Sequence, residues 1–449
     1  MATIAREDQI TRPTYQEITR DITATLGRPS RGYYVLLGFV LVVLAIGAAA
    51  LLYQIRFGLG VAGYTPPVMW GVYITTFVFW VGIAHSGTLI SAILYLFRSA
   101  WRTSVYRTAE AMTVFAVMTA GLFPVIHVGR LWYAYWLFPY PNQRQLWVNF
   151  KSPLLWDVFA VSTYFTVSTL FLIVGLVPDL AAVREKATGW RRKLYEITSL
   201  GWRGTDQQWR HYTRAYLYLA ALAAPLVLSV HSVVSWDFAM SIVPGWHATI
   251  FAPYFVAGAI YSGVAMVVTL LVPLRKVFRV QRYITVEHFE NLAKLLLLTG
   301  LIVGYAYAVE YFMAWYSGSP YERAAFWNRA FGDYWWATWT MILCNGVLPL
   351  ILFFRKVRQS IPALFVLSLF VNLGMWFERF VIIVVSLSFE YEPYAMGHYT
   401  PSWVEWAILA GSFAWFFMWF LLFAKNFPTV SITEVKEIIP MPRKQRAHS

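Results

Sequence analysis

Apolar residues run through this chain in ten long stretches, near 33–56, 67–97, 108–138, 153–182, 212–239, 247–278, 287–316, 333–355, 361–389 and 401–425, separated by polar or basic segments. Each stretch has about 20 residues or more, and at ~1.5 Å per helical residue that crosses a hydrocarbon core of ~30 Å. The pattern predicts an all-α integral membrane protein with ten transmembrane helices. Residues 1–32 are polar and mixed in charge; TYQEITRDITATLG predicts a short surface helix in an N-terminal arm. With no cleavable signal pattern ahead of it, the first span is expected to direct insertion itself.

Composition agrees, since 59% of the residues are hydrophobic and only 13% charged, against roughly 25% charged in soluble domains. The net charge of +14 raises nucleic acid as a partner, so the placement of the basic residues has to decide. Of the 36 Lys and Arg, 29 fall on the side of the N-terminus when alternate loops are assigned to opposite faces. Arg56, Arg144, Lys151, Arg323 and Arg329 fall on the other face, and Arg130 and Arg379 within helices. The positive-inside rule then puts both termini in the cytoplasm, and ten spans have the right parity. Topology thus accounts for the charge, leaving a lipid membrane and no nucleic acid as the expected surroundings. A single cysteine, Cys344, excludes a disulfide framework and any cysteine-ligated zinc or iron–sulfur centre built within this chain. Aromatic residues crowd the outer loops: Trp132, Tyr133, Tyr135, Trp136, Trp147 and Trp156 on one, and Trp327, Trp335, Trp336 and Trp339 on another. They read either as interfacial belts or as a docking surface for an external partner.

A weak repeat is visible when the second span is laid on the sixth. IAHSG at 83–87, followed by Arg98, matches AIYSG at 259–263, followed by Arg275; Glu110 and Gly121 then match Glu290 and Gly300. Four helices separate the copies, so the expected repeat is parallel, with two four-helix bundles made of helices 2–5 and 6–9 and with helices 1 and 10 flanking. The implied organisation is an arm (1–32), a first helix and loop (33–66), a first bundle (67–239), a second bundle (240–389), a last helix (390–426) and a cytoplasmic tail (427–449).

Candidate chemistry concentrates in GLFPVIHVGRLWYAYW, residues 121–136, and in Asp157 of the following span. Protonatable groups within a membrane span are costly unless paired or functional. If helices 3 and 4 form an antiparallel hairpin, His127, Arg130 and Asp157 converge in the outer half of the first bundle. His127 and Asp157 would then accept the hydroxyl protons of a quinol, and Arg130 would hold Asp157 ionised. A structural polar trio is the competing reading. His231 and Asp237 with His85 are candidates for a proton path in the first bundle, and Tyr261, Glu310, Glu378 and Arg379 in the second. Glu378 and Arg379, adjacent on a helix, point ~100° apart and need not pair. Axial haem ligation would call for histidines in level pairs, and His85, His127 and His231 lie at unequal depths, so no haem and no metal is expected.

The ten-helix plan, the duplicated bundle, and GLFPVIHVGRLW followed by SPLLWD resemble the NrfD/PsrC family of quinone-interacting membrane subunits over roughly residues 30–425. The resemblance is nearest to the quinol-oxidising subunit of bacterial alternative complex III. It implies a menaquinol substrate, a periplasmic ferredoxin-like iron–sulfur subunit, a second NrfD-like membrane subunit and a multihaem cytochrome. It further implies an inner-membrane subunit of a quinol:electron-acceptor oxidoreductase that is inactive alone, with the quinol site at His127 and Asp157. The paralogous proton-conducting subunit of the same complex, the quinone-reactive anchor of a polysulfide, nitrite or tetrathionate reductase, and a secondary transporter are the alternatives.

Overall fold

The computed structural model describes residues 13–138 and 150–438, and every regular element among them is a helix. Arg144 and Trp147 lie outside the described residues. A capped surface helix, α1 (Tyr15–Ala24), starts at Thr14, whose side chain accepts from the Glu17 N–H while the Glu17 carboxylate accepts from the Thr14 N–H. Such a reciprocal cap satisfies two otherwise orphaned backbone donors. Ten helices long and apolar enough to cross a membrane follow: α2 (Arg31–Phe57), α3 (Val72–Leu96), α4 (Tyr106–His127), α5 (Pro153–Arg184), α6 (Asp206–Ala239), α7 (Phe251–Val277), α8 (Val286–Tyr316), α9 (Trp335–Phe353), α10 (Ile361–Val385) and α11 (Trp403–Asn426). A short helix, α12 (Ile432–Ile438), ends the described chain.

The most enclosed helix is α3, packed on α4, α6, α7, α10 and α11. Its crossing with α7 is close because small residues face each other. A Cβ on Gly263 would fall 2.2 Å from Ser86 Oγ, and one on Gly82 would fall 3.4 Å from Ser262 Oγ. The two SG-containing motifs seen in the sequence therefore meet across this seam. On the other side of α3, a Cβ on Gly87 would fall 2.1 Å from the Ala109 carbonyl oxygen of α4. A third close crossing joins α2 to α11, where a Cβ on Gly47 would lie 2.6 Å from the Gly411 Cα. Lipid offers helices no hydrophobic drive to associate, so small residues that admit close backbone approach supply van der Waals contact instead.

The third span ends earlier than the apolar run predicts. It bends at Gly121, stops at His127, and continues as a tight 3-10 stretch over Leu131–Leu137. Pro124 lacks the N–H that would bond back to residue 120, and Gly129 adopts φ +86°. A Cβ at Gly129 would meet Leu59 Cγ at 2.6 Å, so glycine is required on both counts. Arg130 consequently stands beyond the helix end, exposed, and not within a span.

At the end that carries both termini, α12 docks under α4 and α5. Arg102 pairs with Glu434 at 2.7 Å, while Asp179 accepts from the Thr433 N–H (2.9 Å) and hydroxyl (2.8 Å). Fully buried Arg107 links Asp179 (3.1 Å) to Glu110 (3.3 Å) and donates to the Gly175 carbonyl (2.6 Å). Burial pushes the Glu434 carboxyl up, and Arg102 beside it opposes that shift. Lys425 closes the other terminus by donating to the Thr25 carbonyl at 2.9 Å.

Replacing Gly263 by Ala should push α3 and α7 apart and destabilise the protein by ~1–3 kcal/mol. The measurement is the midpoint of thermal unfolding in detergent, with Gly304→Ala, where an added Cβ meets nothing within 4 Å, as the variant expected to leave it unchanged.

Candidate functional site

His127 closes the last turn of α4 at the end away from the termini. Its Nδ1 lies 3.5 Å from the Tyr64 hydroxyl, with the two rings edge to face at 5.7 Å. Tyr64 in turn stacks on Tyr399 (5.7 Å, 21°) and meets Tyr73 edge-on. This aromatic box is held from behind by hydrogen bonds. Tyr399 donates to Glu405 and accepts from the Val72 N–H at 3.0 Å; Glu405 also accepts from the backbone N–H of Gly63 (2.7 Å) and Ser402 (2.9 Å). Tyr73 donates to Gln54 Oε1 at 2.5 Å, and Gln54 Nε2 donates to the Ile126 carbonyl at 2.9 Å. That last bond satisfies one of the carbonyls that a helix end leaves without an internal partner. Burial and then the Glu405 carboxylate hold the Tyr64 and Tyr399 hydroxyls above the usual phenol range, so both stay protonated.

Asp157 does not join this box. It sits in the second turn of α5, and its carboxyl lies beside that of Asp237 near the end of α6, with Oδ1 of each lacking a hydrogen-bond partner among the described residues. A carboxyl pair of this kind bonds only when one partner carries a proton, because an ionised carboxylate has nothing to donate. Trp156 and Trp236 meet edge to face directly beside it (5.9 Å, 82°). The dipeptide Trp-Asp thus occurs once on each helix, and both members meet their counterparts. Among the described residues no hydrogen bond or ion pair joins His127, Arg130 and Asp157 to one another. Arg130 is exposed, with its guanidinium 5.9 Å from the Trp132 ring centroid, and it does not hold Asp157 ionised. The expected trio makes no direct bond: α4 stops at His127 with Arg130 beyond its end, and α5 packs on α6 as well as on α4.

Deeper in the spans, His85 and His231 are in ring contact at 4.6 Å. His85 Nδ1 lies 2.5 Å from the Val81 carbonyl oxygen, and its ring stacks on Tyr164 (5.0 Å). Neither nitrogen of His231 has a hydrogen-bond partner among the described residues. Next to His231 stands Phe255 (5.8 Å), whose ring centroid lies 4.5 Å from the Arg379 guanidinium. Glu378 and Arg379 do pair, at 2.8 Å. Adjacent long side chains can bend toward each other, and no lipid or water competes for either charge at a buried site. Tyr307 donates to Glu378 and accepts from Asn345 Nδ2 (3.0 Å); Tyr261 donates to the Asn345 carbonyl at 3.5 Å. Glu310 is buried, with Oε1 unpartnered among the described residues. Buried polar side chains therefore lie along a band from Tyr164 and His85 to His231 and, across the Phe255 ring, from Arg379 to Tyr307.

Gln54, Tyr64, Tyr399 and Glu405 were not legible as site residues, since each belongs to a different segment. A buried glutamine in the otherwise apolar first span was the available signal. The Arg107–Glu110–Asp179 cluster was equally open to notice as charges at the ends of apolar runs.

The profile of the family described as Polysulphide reductase, NrfD, matches residues 60–390. A protein of Halobacterium salinarum named for the membrane subunit of dimethyl sulfoxide reductase is 28% identical over 424 residues, covering 87% of this chain and 90% of its own length. The Hdr-like menaquinol oxidoreductase integral membrane subunit of Archaeoglobus fulgidus is 21% identical over 91% of this chain and 96% of its own. A selenate reductase subunit of Mesobacillus selenatarsenatis is 23% identical over 84% and 89% respectively.

The two acid positions should be energetically coupled and the histidine independent of them. In a double-mutant cycle, Asp157→Asn and Asp237→Asn are expected to deviate from additivity in thermal stability by ~0.5–3 kcal/mol, whereas Asp157→Asn and His127→Gln should add within ~0.5 kcal/mol.

Proposed function

This chain belongs to the NrfD family, and from that premise we propose that it is the membrane subunit of an electron-transfer complex that binds and oxidises a quinol at the end away from its termini. The observation that supports the reading is that two sets of protonatable side chains stand at that end, His127 beside Tyr64 and the Asp157–Asp237 pair next to the Trp156–Trp236 contact. A quinol that becomes a quinone releases two electrons and two protons. His127 accepts one proton, the carboxyl pair the other, and proton transfer to a positioned base contributes typically 10²–10⁴-fold to rate. Apolar and aromatic walls with few polar groups are the usual lining for such a ring. Arg130, at the mouth, supplies positive charge without engaging either acid.

The electrons leave through a partner iron–sulfur subunit docked on the aromatic-rich end, which the positive-inside count assigns to the periplasm of a bacterial inner membrane. Menaquinol as the substrate draws support from the name of the Archaeoglobus relative. The helix contacts are read as two four-helix bundles, helices 2–5 and 6–9, related by a parallel repeat. The band through His85, His231, Arg379 and Glu378, with Tyr261 and Glu310 beside it, is the route by which protons move between them. In the alternative complex III form, a second NrfD-like subunit and a multihaem cytochrome complete the assembly. A second reading is favoured by the names of two relatives, which refer to dimethyl sulfoxide reductase and to selenate reductase: the same quinol chemistry feeds a terminal reductase in place of the cytochrome. Chains that copurify with this one decide between a cytochrome and a catalytic reductase.

In the assembled complex, Asp157→Asn should lower quinol oxidation by ~10²-fold or more while leaving the set of assembled chains intact. Turnover at the wild-type rate in that variant would sink the assignment.

A further inference from the structure

Where α5 leaves the membrane at the terminal end, four segments border a cavity of about 780 Å³: Tyr15 of α1, the end of α5, the loop and first turn of α6, and α12. Its apolar wall is Pro178, Ala181 and Ala182, on the last turns of α5. The loop leading into α6 supplies Trp202, Arg203 and Gly204, the first turn of α6 supplies Trp209, and α12 supplies Thr433 and Lys436. Trp202 and Trp209 pack edge to face at 4.9 Å. Both indole N–H groups turn toward Gly204, since a Cβ there would lie 3.9 Å from each Nε1. Gly204 adopts φ +75°, a conformation that keeps this corner free of a side chain. Neither indole N–H meets an acceptor among the described residues.

The cations of the cavity are similarly uncommitted. Arg184 donates to Ser199 Oγ (3.1 Å) and to the Trp202 carbonyl (3.3 Å), both neutral, so its charge is not cancelled by either. Arg203 and Lys436 form no ion pair among the described residues, although the Asp179 carboxylate acts on Lys436 from nearby. Two acids also line the cavity: Glu185 is exposed to solvent, where screening reduces its effect, and partial burial pushes the Glu437 carboxyl up, favouring its neutral form. Indole and cationic donors therefore face one corner, and an apolar helix end faces the other.

We infer that this cavity binds the phosphate of a membrane glycerophospholipid, with the Trp202 and Trp209 indoles, Arg203 and Lys436 as its donors and the α5 wall against the start of an acyl chain. The depth suits it, because tryptophans favour the headgroup level of a bilayer. Basic pockets between helices at this level are lipid headgroup sites, and a phosphate diester accepts charge-assisted hydrogen bonds from several directions. The site is built from the loop before α6 and from α12 together, so an occupying lipid would tie the docked C-terminal helix to the membrane surface. It is independent of the quinol chemistry proposed above.

The test is native mass spectrometry of the purified complex in detergent, after delipidation and titration with phosphatidylglycerol, phosphatidylethanolamine or diacylglycerol. Phospholipid should remain bound and diacylglycerol should not. Arg203→Ala with Lys436→Ala, and separately Trp202→Phe with Trp209→Phe, should each weaken retention about tenfold or more, the equivalent of ~1.4 kcal/mol. The Phe pair keeps the rings and removes only the donors; unchanged thermal unfolding shows that each variant is folded. Lys193→Ala, an exposed cation on the neighbouring helix Gly189–Thr198, should change nothing. Retention of diacylglycerol equal to phospholipid, or wild-type retention in both double variants, would overturn the inference. Displacement of the lipid by millimolar inorganic phosphate would equally overturn it, by making the cavity a site for the free anion.

Discussion

The structure depends on how closely α3 can approach its neighbours. Ser86 of α3 occupies the space that a side chain on Gly263 of α7 would need, and Gly87, one residue on, lets α4 in from the other side. In lipid the helices gain nothing by hiding apolar surface from one another, so contact area has to come from close backbone approach at small residues. With α3 clamped between α4 and α7, its polar residues have only protein to bond with. Thr76 donates to the Val72 carbonyl, His85 reaches Val81, and Thr88 bonds the Tyr164 hydroxyl. The seam between α3 and α7 is also where the polar band passes from His85 and His231 to Arg379.

The same constraint explains why the chemistry gathers at helix ends. A span that stops within the protein leaves backbone carbonyls without partners, and each must find a donor or meet water. At His127 the donor is Gln54, brought from α2 and braced by Tyr73. At Asp157 and Asp237 two helix ends lie side by side, and each acid stands beside the other. One place thus presents an imidazole next to a phenol, another two neighbouring buried carboxyls.

His127 and Asp157 were visible in the sequence as polar residues where lipid makes them costly. Their separation was not visible, because the inference of a trio assumed that the third span ran straight through Pro124, Gly129 and Arg130. Those three residues mark a helix end: a missing N–H, a positive φ, and a charge placed outside. The partner of Asp157 was within reach of sequence reasoning, since Trp-Asp occurs at 156–157 and again at 236–237. Reading the two as a matched pair needs the further knowledge that α5 and α6 are antiparallel neighbours with those residues level. The pairing of Glu378 with Arg379 escaped for a similar reason, as helix geometry gives the direction of the Cα–Cβ bonds but not where long side chains bend.

What the sequence determined by itself was the solvent, the number of crossings and the family, all of which follow from local quantities: lengths of apolar runs, placement of charge, short motifs. It also located the polar residues whose presence in a span requires an explanation. Which of them meet was decided only by the tertiary structure. A histidine finds a tyrosine 63 positions away, and Glu405 reaches the Gly63 N–H across 342. Such contacts depend on helix order and on rotations about helix axes, set by packing at a few glycines and serines, and no local pattern along the chain carries that information.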